Sequence, residues 1–218
     1  MKRFFKTLIL VATLTLFFAI PVNASTVGLN KDFIITYSKQ QIQLKVTGTH
    51  KKVKWSSNKQ KTVKVNKKGK ITALKNGKAV ITAKIGKKKY KCNVTVMSKK
   101  KIEKKLTKIS DNFDNFYSET TDTNSYSSIE DSLIILDRLT KPNKFLNSLQ
   151  GKKYRAFKTG YRDAVEQLNN IKICFVKMLK YYDNPESFDE FYFYDLYDDY
   201  YACLFKLWDA KMAMLYAY

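Results

Sequence analysis

Acid is nearly missing from the first half of this chain. Residues 25–101 hold 22 lysines and one carboxylate, Asp32, a net charge of +21, whereas residues 102–218 hold 16 basic and 18 acidic side chains, a net of −2. So uneven a distribution predicts two units with different surfaces rather than one uniform domain. Histidine is scarcer still. His50 is the only one, and it sits in the stretch 47–51, a strand connection where exposure rather than catalysis is expected. No nucleophile motif, glycine-rich phosphate loop or metal-ligand spacing is present. The expected inventory is therefore no catalytic residue, no metal and no cofactor, and the protein is expected not to be an enzyme. Asp195 and Asp199 lie one helical turn apart and could share an ion or a proton, but such pairs occur freely on helix surfaces.

Long hydrophobic runs are absent too, with one exception at the start. Met1-Lys2-Arg3-Phe4-Phe5-Lys6 precedes thirteen apolar or small residues, 8–20, and then Val22-Asn23-Ala24 before Ser25. Thirteen is short of the roughly 20 needed for a membrane-spanning helix. A basic lead, a short apolar stretch and small residues at the −3 and −1 positions predict a secretory signal peptide, residues 1–24, cleaved between Ala24 and Ser25. No cysteine follows the run, so a lipid-modified N-terminus is not expected.

What is present divides by period. From Phe33 to Met97 the apolar residues alternate: Ile42, Leu44 and Val46; Val53 and Trp55; Val63 and Val65; Ile71 and Ala73; Ala79, Ile81, Ala83 and Ile85; Cys92, Val94 and Val96. A period of two places each set on one strand face. Gly48, the Ser56-Ser57-Asn58 run, residues 66–69, Asn76-Gly77 and Gly86 supply the turns. Several short strands at this spacing predict a small β-sandwich.

These residues also carry a resemblance. Trp55-Ser56-Ser57-Asn58, the Val63-x-Val65 strand, Gly69-Lys70-Ile71-Thr72-Ala73, the Asn76-Gly77 turn before Ala79-x-Ile81 and the closing Cys92-Asn93-Val94-Thr95-Val96 resemble a bacterial immunoglobulin-like domain of group 2, the intimin and invasin type, over about residues 27–97. One departure is Lys64 at the centre of its strand, where alanine is common in the family; that position faces outward. The resemblance implies an exported or cell-surface protein, often engaged in adhesion or in wall and carbohydrate contact, and implies no catalytic residues.

Past Val96 the period becomes three and four. Ile102, Leu106, Ile109, Phe113 and Phe116 form one stripe, and Leu133, Leu136 and Leu139 another that should end before Pro142. Ser127 with Glu130, or Ser128 with Asp131, offers the second helix a capping box. Tyr154, Phe157, Tyr161, Ala164, Leu168, Ile171, Phe175, Met178 and Tyr182 make one long seam; Phe193, Leu196, Tyr200, Cys203, Leu207, Ala210 and Met214 make its partner. Between them Asn184 could cap a helix with Pro185 at its first position, or Ser187 with Glu190 could form a capping box. The expected architecture is an all-β immunoglobulin-like sandwich, 25–98, a basic linker, 99–101, and an all-α helical bundle, 102–218. Its helices are expected at about 102–118, 128–140, 152–182 and 186–216, the last two forming a long antiparallel hairpin.

A reversal at residue 184 or 185 would put Cys174 and Cys203 about eight residues out of register, ~12 Å along the helix and beyond disulfide reach. Three buried free thiols, Cys92, Cys174 and Cys203, are expected.

Two groups of side chains are candidates for binding. Lys51, Lys52, Lys67, Lys68, Lys87, Lys88 and Lys89 would project a positive field toward anionic partners, phosphate-rich wall polymers or lipid head groups. Equally, lysine is a common way to solvate strand faces and discourage edge pairing. Nucleic acid is not an expected partner, since stacking aromatics are missing among the lysines and no nucleic-acid motif is present. In the acidic, aromatic stretch 188–205, Tyr194, Asp195, Asp198 and Asp199 could bind sugar or a basic partner, or form the solvated face of an amphipathic helix. The expectation is an exported, non-catalytic module at the surface or wall of a Gram-positive-type bacterium, with lysine-mediated contacts to anionic envelope polymers or carbohydrate. The alternative is a structural spacer or assembly protein whose helical half pairs with another protein chain.

Overall fold

The computed structural model describes residues 26–119, 126–188 and 191–217. The expected leader, its Ala24–Ser25 junction and Glu190 lie outside these residues. Among the described residues nine strands precede the helices: β1 Gly28–Leu29, β2 Phe33–Thr36, β3 Gln41–Gln43, β4 Val46–Thr47, β5 Lys54–Ser57, β6 Val63–Val65, β7 Lys70–Ala73, β8 Gly77–Ile85 and β9 Lys88–Val96. One sheet has the order β2-β9-β8-β5, a second β3-β7-β6, and β1 pairs with β4 in a ribbon. β2 runs parallel to β9; the other pairs are antiparallel.

The alternating residues fill the space between the two larger sheets. Ile34, Ile81, Cys92 and Val94 meet Val63, Ile71 and Ala73 there, with Leu44 between them and Trp55 half-buried at the margin. Register follows from the turns. Gly86, at φ +57, occupies the first central position of the Gly86-Lys87 turn, as a type II′ hairpin requires. Ile85 therefore pairs with Lys88, and Lys84 with Lys89.

Five α-helices follow among the described residues: α1 Lys99–Glu119, α2 Tyr126–Leu139, α3 Lys144–Ser148, α4 Arg155–Asp183 and α5 Tyr192–Leu215. Ser98 caps α1 through its hydroxyl, which accepts from the Lys101 amide. The three lysines of the expected linker are thus the first turn of a helix. Ile102, Leu106, Phe113 and Phe116 are buried along its inner face. α4 and α5 form the antiparallel hairpin, with Phe157, Leu168, Ile171, Phe175 and Met178 of one buried against Leu196, Tyr200, Leu207 and Met214 of the other.

Several helix ends differ from the sequence reading. α2 starts at Tyr126, so Ser127 and Ser128 lie inside its first turn rather than ahead of it. α3 was not expected; it is a single short turn made by Asn143, whose side chain accepts from the Phe145 and Leu146 amides. α5 starts at Tyr192 rather than near 186, because Pro185–Ser187 closes as a 3-10 turn and Phe188 is extended. Tyr182, assigned to the seam, is exposed beside this turn. The reversal is centred later, with the Tyr181 ring 4.9 Å from Phe193 and the Phe175 ring 5.2 Å from Tyr200. Cys174 therefore lies opposite a residue near 200, about three residues from Cys203, or ~5 Å along the axis. The wide separation expected of these cysteines is corrected accordingly. All three are free thiols, Cys92 and Cys174 buried and Cys203 only half-buried.

The two halves share a seam. Ile35 and Tyr37, which leave the sandwich on and just after β2, belong to the helical core. Leu149 bridges to Ile35 as a strand residue, and the Gln150 amide donates to the Ile35 carbonyl at 2.7 Å. Gly151 follows at φ +136, and a Cβ there would lie 2.8 Å from the Tyr37 ring. Tyr37 packs edge-on against the fully buried Tyr154, centroids 5.7 Å apart. Unequal charge thus hides a continuous apolar junction.

Candidate functional site

Strand register turns scattered lysines into an ordered surface. Lys54 of β5 pairs with Lys84 of β8, and Lys84 with Lys89 of β9, so three ammonium groups stand in a row across three strands on the outer face. Residues directly opposite one another in neighbouring strands hold their Cβ atoms about 5 Å apart, and like charges there oppose pairing. Lys91 continues the face one position along, next to Thr82.

Lys54 also belongs to a groove of about 800 Å³ beside Trp55, where Lys45, Lys52, Lys67 and Lys68 join it. The turn between β6 and β7 forms one rim and is firmly tied. The Asn66 side chain accepts from the Lys68 and Lys70 amides, both at 2.9 Å, and the Gln43 side chain donates to the Lys68 carbonyl at 2.7 Å. Gly69, at φ +79, lets this turn close over the indole: a Cβ would meet the Leu44 carbonyl and the Trp55 ring at 2.7 Å. An aromatic ring among five cations, with no carboxylate in the lining, suits an anionic ligand that also offers an apolar or sugar face.

The seven lysines singled out from sequence are thereby divided. Lys52, Lys67 and Lys68 line the groove, Lys89 stands in the row, Lys87 and Lys88 occupy the β8–β9 tip, and Lys51 is exposed outside the groove lining. Sequence reading missed Lys45, Lys54 and Lys84, which are isolated in the chain and meet only through pairing. The hairpin signal at Gly86 was enough to pair Lys84 with Lys89. His50 is exposed between β4 and β5.

On α5, Tyr194, Asp195, Asp198 and Asp199 are all exposed and share one face over two turns. The next turns continue with Tyr201, Phe205 and Trp208, exposed by 51%, 74% and 50%. Among the described residues no element covers this flank. Among the described residues, too, no cluster of His, Cys, Asp or Glu could hold a metal ion, and no helix is long and apolar enough to cross a membrane.

Burial governs the thiols. The Cys92 pKa is pushed up to about 12, first by burial and then by the nearby Asp32 carboxylate. Cys174 and Cys203 are raised mainly by burial, Cys174 also by the neighbouring Cys203, and neither is primed as a nucleophile.

No family model and no curated protein matches this chain. Among solved structures, a mutant intimin of EHEC O157:H7 is similar at 24% identity over 31% of this chain and 37% of its own, with a TM-score of 0.25. Domains 4 and 5 of the S-layer protein SbsC are similar at 23% identity over 34% of this chain and 52% of theirs, with a TM-score of 0.28. A GH10 xylanase from termite gut that contains a bacterial Ig-like domain is similar at 28% identity over 31% of this chain and 19% of its own, with a TM-score of 0.26. The chain spans about half or less of the length of each.

Proposed function

We propose that this protein is an exported, non-catalytic binding module of the cell surface or wall, with an immunoglobulin-like sandwich that contacts anionic envelope polymers through its lysines. The observation that carries this reading is the row Lys54–Lys84–Lys89, continuous at Lys54 with the Trp55 groove. Solvation of a strand face needs lysines dispersed; three in direct register work against the sheet and are relieved by a polyanion laid across them. The sequence pattern of a leader followed by acid-poor strands supports the same location.

The test is retention of the full chain on purified cell walls, with and without their anionic polymers, at low and high salt. Wild type is expected to bind at low salt and elute as salt rises, and a Lys54→Gln/Lys84→Gln/Lys89→Gln variant to bind several-fold more weakly. Retention that ignores salt, or that survives removal of the polymers, would sink the electrostatic reading.

A second reading rests on the exposed flank Tyr201, Phe205 and Trp208, beside the acids Asp195, Asp198 and Asp199. Here the helical half pairs with another protein chain, or binds sugar through Tyr194 and its acidic neighbours. Sedimentation of the full chain with and without Phe205→Ser/Trp208→Ser tests self-pairing, and a sugar array tests the other branch.

A further inference from the structure

A cleft of about 940 Å³ opens where the sandwich meets the bundle, and its walls differ in chemistry. One wall is the beginning of α4. Arg155, Lys158 and Arg162 recur at three- and four-residue spacing, which stacks them on one helix face, and Lys152 precedes them in the 3-10 turn Lys152–Tyr154. The opposite wall is the edge strand β3 and its approach, which contribute Gln40, Gln41 and Gln43. Lys31, from the connection between β1 and β2, completes the cations.

This arrangement opposes folding in two ways. A helix N-terminus carries partial positive charge and favours acids, yet the first turn of α4 has none and is flanked by cations. Like charges one turn apart on a helix also repel. Arg162 is relieved by Asp163 at 3.2 Å. Among the described residues Lys31, Lys152, Arg155 and Lys158 have no ion pair, and no carboxylate lines the cleft. Lys158 is half-buried, its ammonium held by the Leu149 carbonyl at 3.3 Å, with its pKa lowered by burial and by the charge of Lys31. An exposed lysine meets water; this group has given up part of its hydration to face another cation.

We infer that the cleft binds an anionic polyol, the cations of α4 and Lys31 pairing with its phosphate or carboxylate groups while the side chains of Gln40 and Gln41 hydrogen-bond its hydroxyls. The cation count suits more than one anionic group. Bare inorganic anions would leave the amide wall unused. The site is distinct from the outer lysine row, because its residues come from both halves of the chain and need the junction at Gly151 to stay together.

The experiment is calorimetric titration of the full chain, at physiological salt, with a short glycerol-phosphate oligomer and separately with a uronic-acid oligomer. Either or both bind wild type, and which one does identifies the anionic group. Arg155→Gln/Lys158→Gln removes two cations and is expected to weaken binding by at least about tenfold, which one charge-assisted contact alone would supply. The same variant should melt at an equal or higher temperature and lose the ligand-induced rise in Tm. Lys54→Gln/Lys84→Gln/Lys89→Gln should leave oligomer binding within about twofold. If the cleft variant fails to fold, amine acetylation of wild type decides instead: the bound oligomer should shield Lys31, Lys152 and Lys158 but not Lys64. Failure of both oligomers to bind wild type, equal binding by the cleft variant, or no shielding would each overturn the cleft. Loss of binding in the row variant alone would overturn the cleft and leave the outer-face reading standing.

Discussion

The sandwich and the bundle use the same kinds of residue to opposite ends. In the sandwich, apolar side chains point inward at every second position and lysine with uncharged polar residues takes the outward ones, so its outer face is almost free of acid and its core small. In the bundle, apolar residues spill beyond the seam, leaving Tyr201, Phe205 and Trp208 in solvent while charges of both signs pair across helices, Lys211 with Asp114 and Lys172 with Asp137. A period-two pattern allows only an inside and an outside. A helix surface has room for a third kind of face, and that is where unassigned apolar residues collect.

The comparison breaks first at the seam. Gly151→Ala is expected to cost about 3 kcal/mol, since the new Cβ meets the Tyr37 ring at 2.8 Å in a backbone region that disfavours any side chain. Gly86→Ala, also at positive φ but with nothing within 4 Å, should cost only about 1 kcal/mol. Urea unfolding followed separately by the tryptophans of the two halves, Trp55 and Trp208, would show whether Gly151→Ala uncouples them. Equal costs for the two variants would mean that the Tyr37 contact is not a rigid joint.

Much of this arrangement was legible and some was not, for physical reasons. The inward residues from Ile42 to Val96 and the seam from Phe157 to Met178 repeat many times, so any one of them is supported by its neighbours. Ile35, Tyr37, Leu149 and Gly151 form a junction without repetition, and nothing in their spacing announces it. The start of α5 was misplaced because Pro185 and Ser187 are good helix openers locally, while the 3-10 turn they make instead leads into an aromatic cluster at Phe188 and Tyr192, stacked at 4.5 Å. The site followed the same rule. Lysine blocks were visible in sequence; of the row only the Lys84–Lys89 pair was within reach, through the Gly86 hairpin, and the cleft, assembled from single residues, was not.

High pH should weaken both halves through buried neutral groups. Tyr154 is fully buried with its hydroxyl unpaired, and burial pushes its pKa from the usual 10 up to about 12. A raised folded-state pKa means that the contribution is complete below pH 10 and lost as pH climbs toward 12; for Cys92 the same loss begins near pH 9. Tyr154→Phe should therefore be neutral or slightly stabilising at pH 7 and flatten the alkaline decline of the bundle, while Cys92→Ala should flatten that of the sandwich. A decline unchanged in both variants would place the titrating groups elsewhere.

The smallest effect bears on whether the lysine face exists for the fold or for a partner. Lys84 stands between Lys54 and Lys89, so Lys84→Gln removes two repulsions at once and should stabilise the protein by about 0.5 kcal/mol at low salt, with the gain shrinking toward zero as salt screens the row. Lys64→Gln changes a lysine on β6, in the other sheet, where it pairs with Thr72 and not with another lysine. It should do much less. If Lys84→Gln destabilises, the row serves the sheet itself, through the packing of its aliphatic stems. If it stabilises, the sheet keeps a charge that its own folding opposes, and the reason for the lysine lies outside the fold.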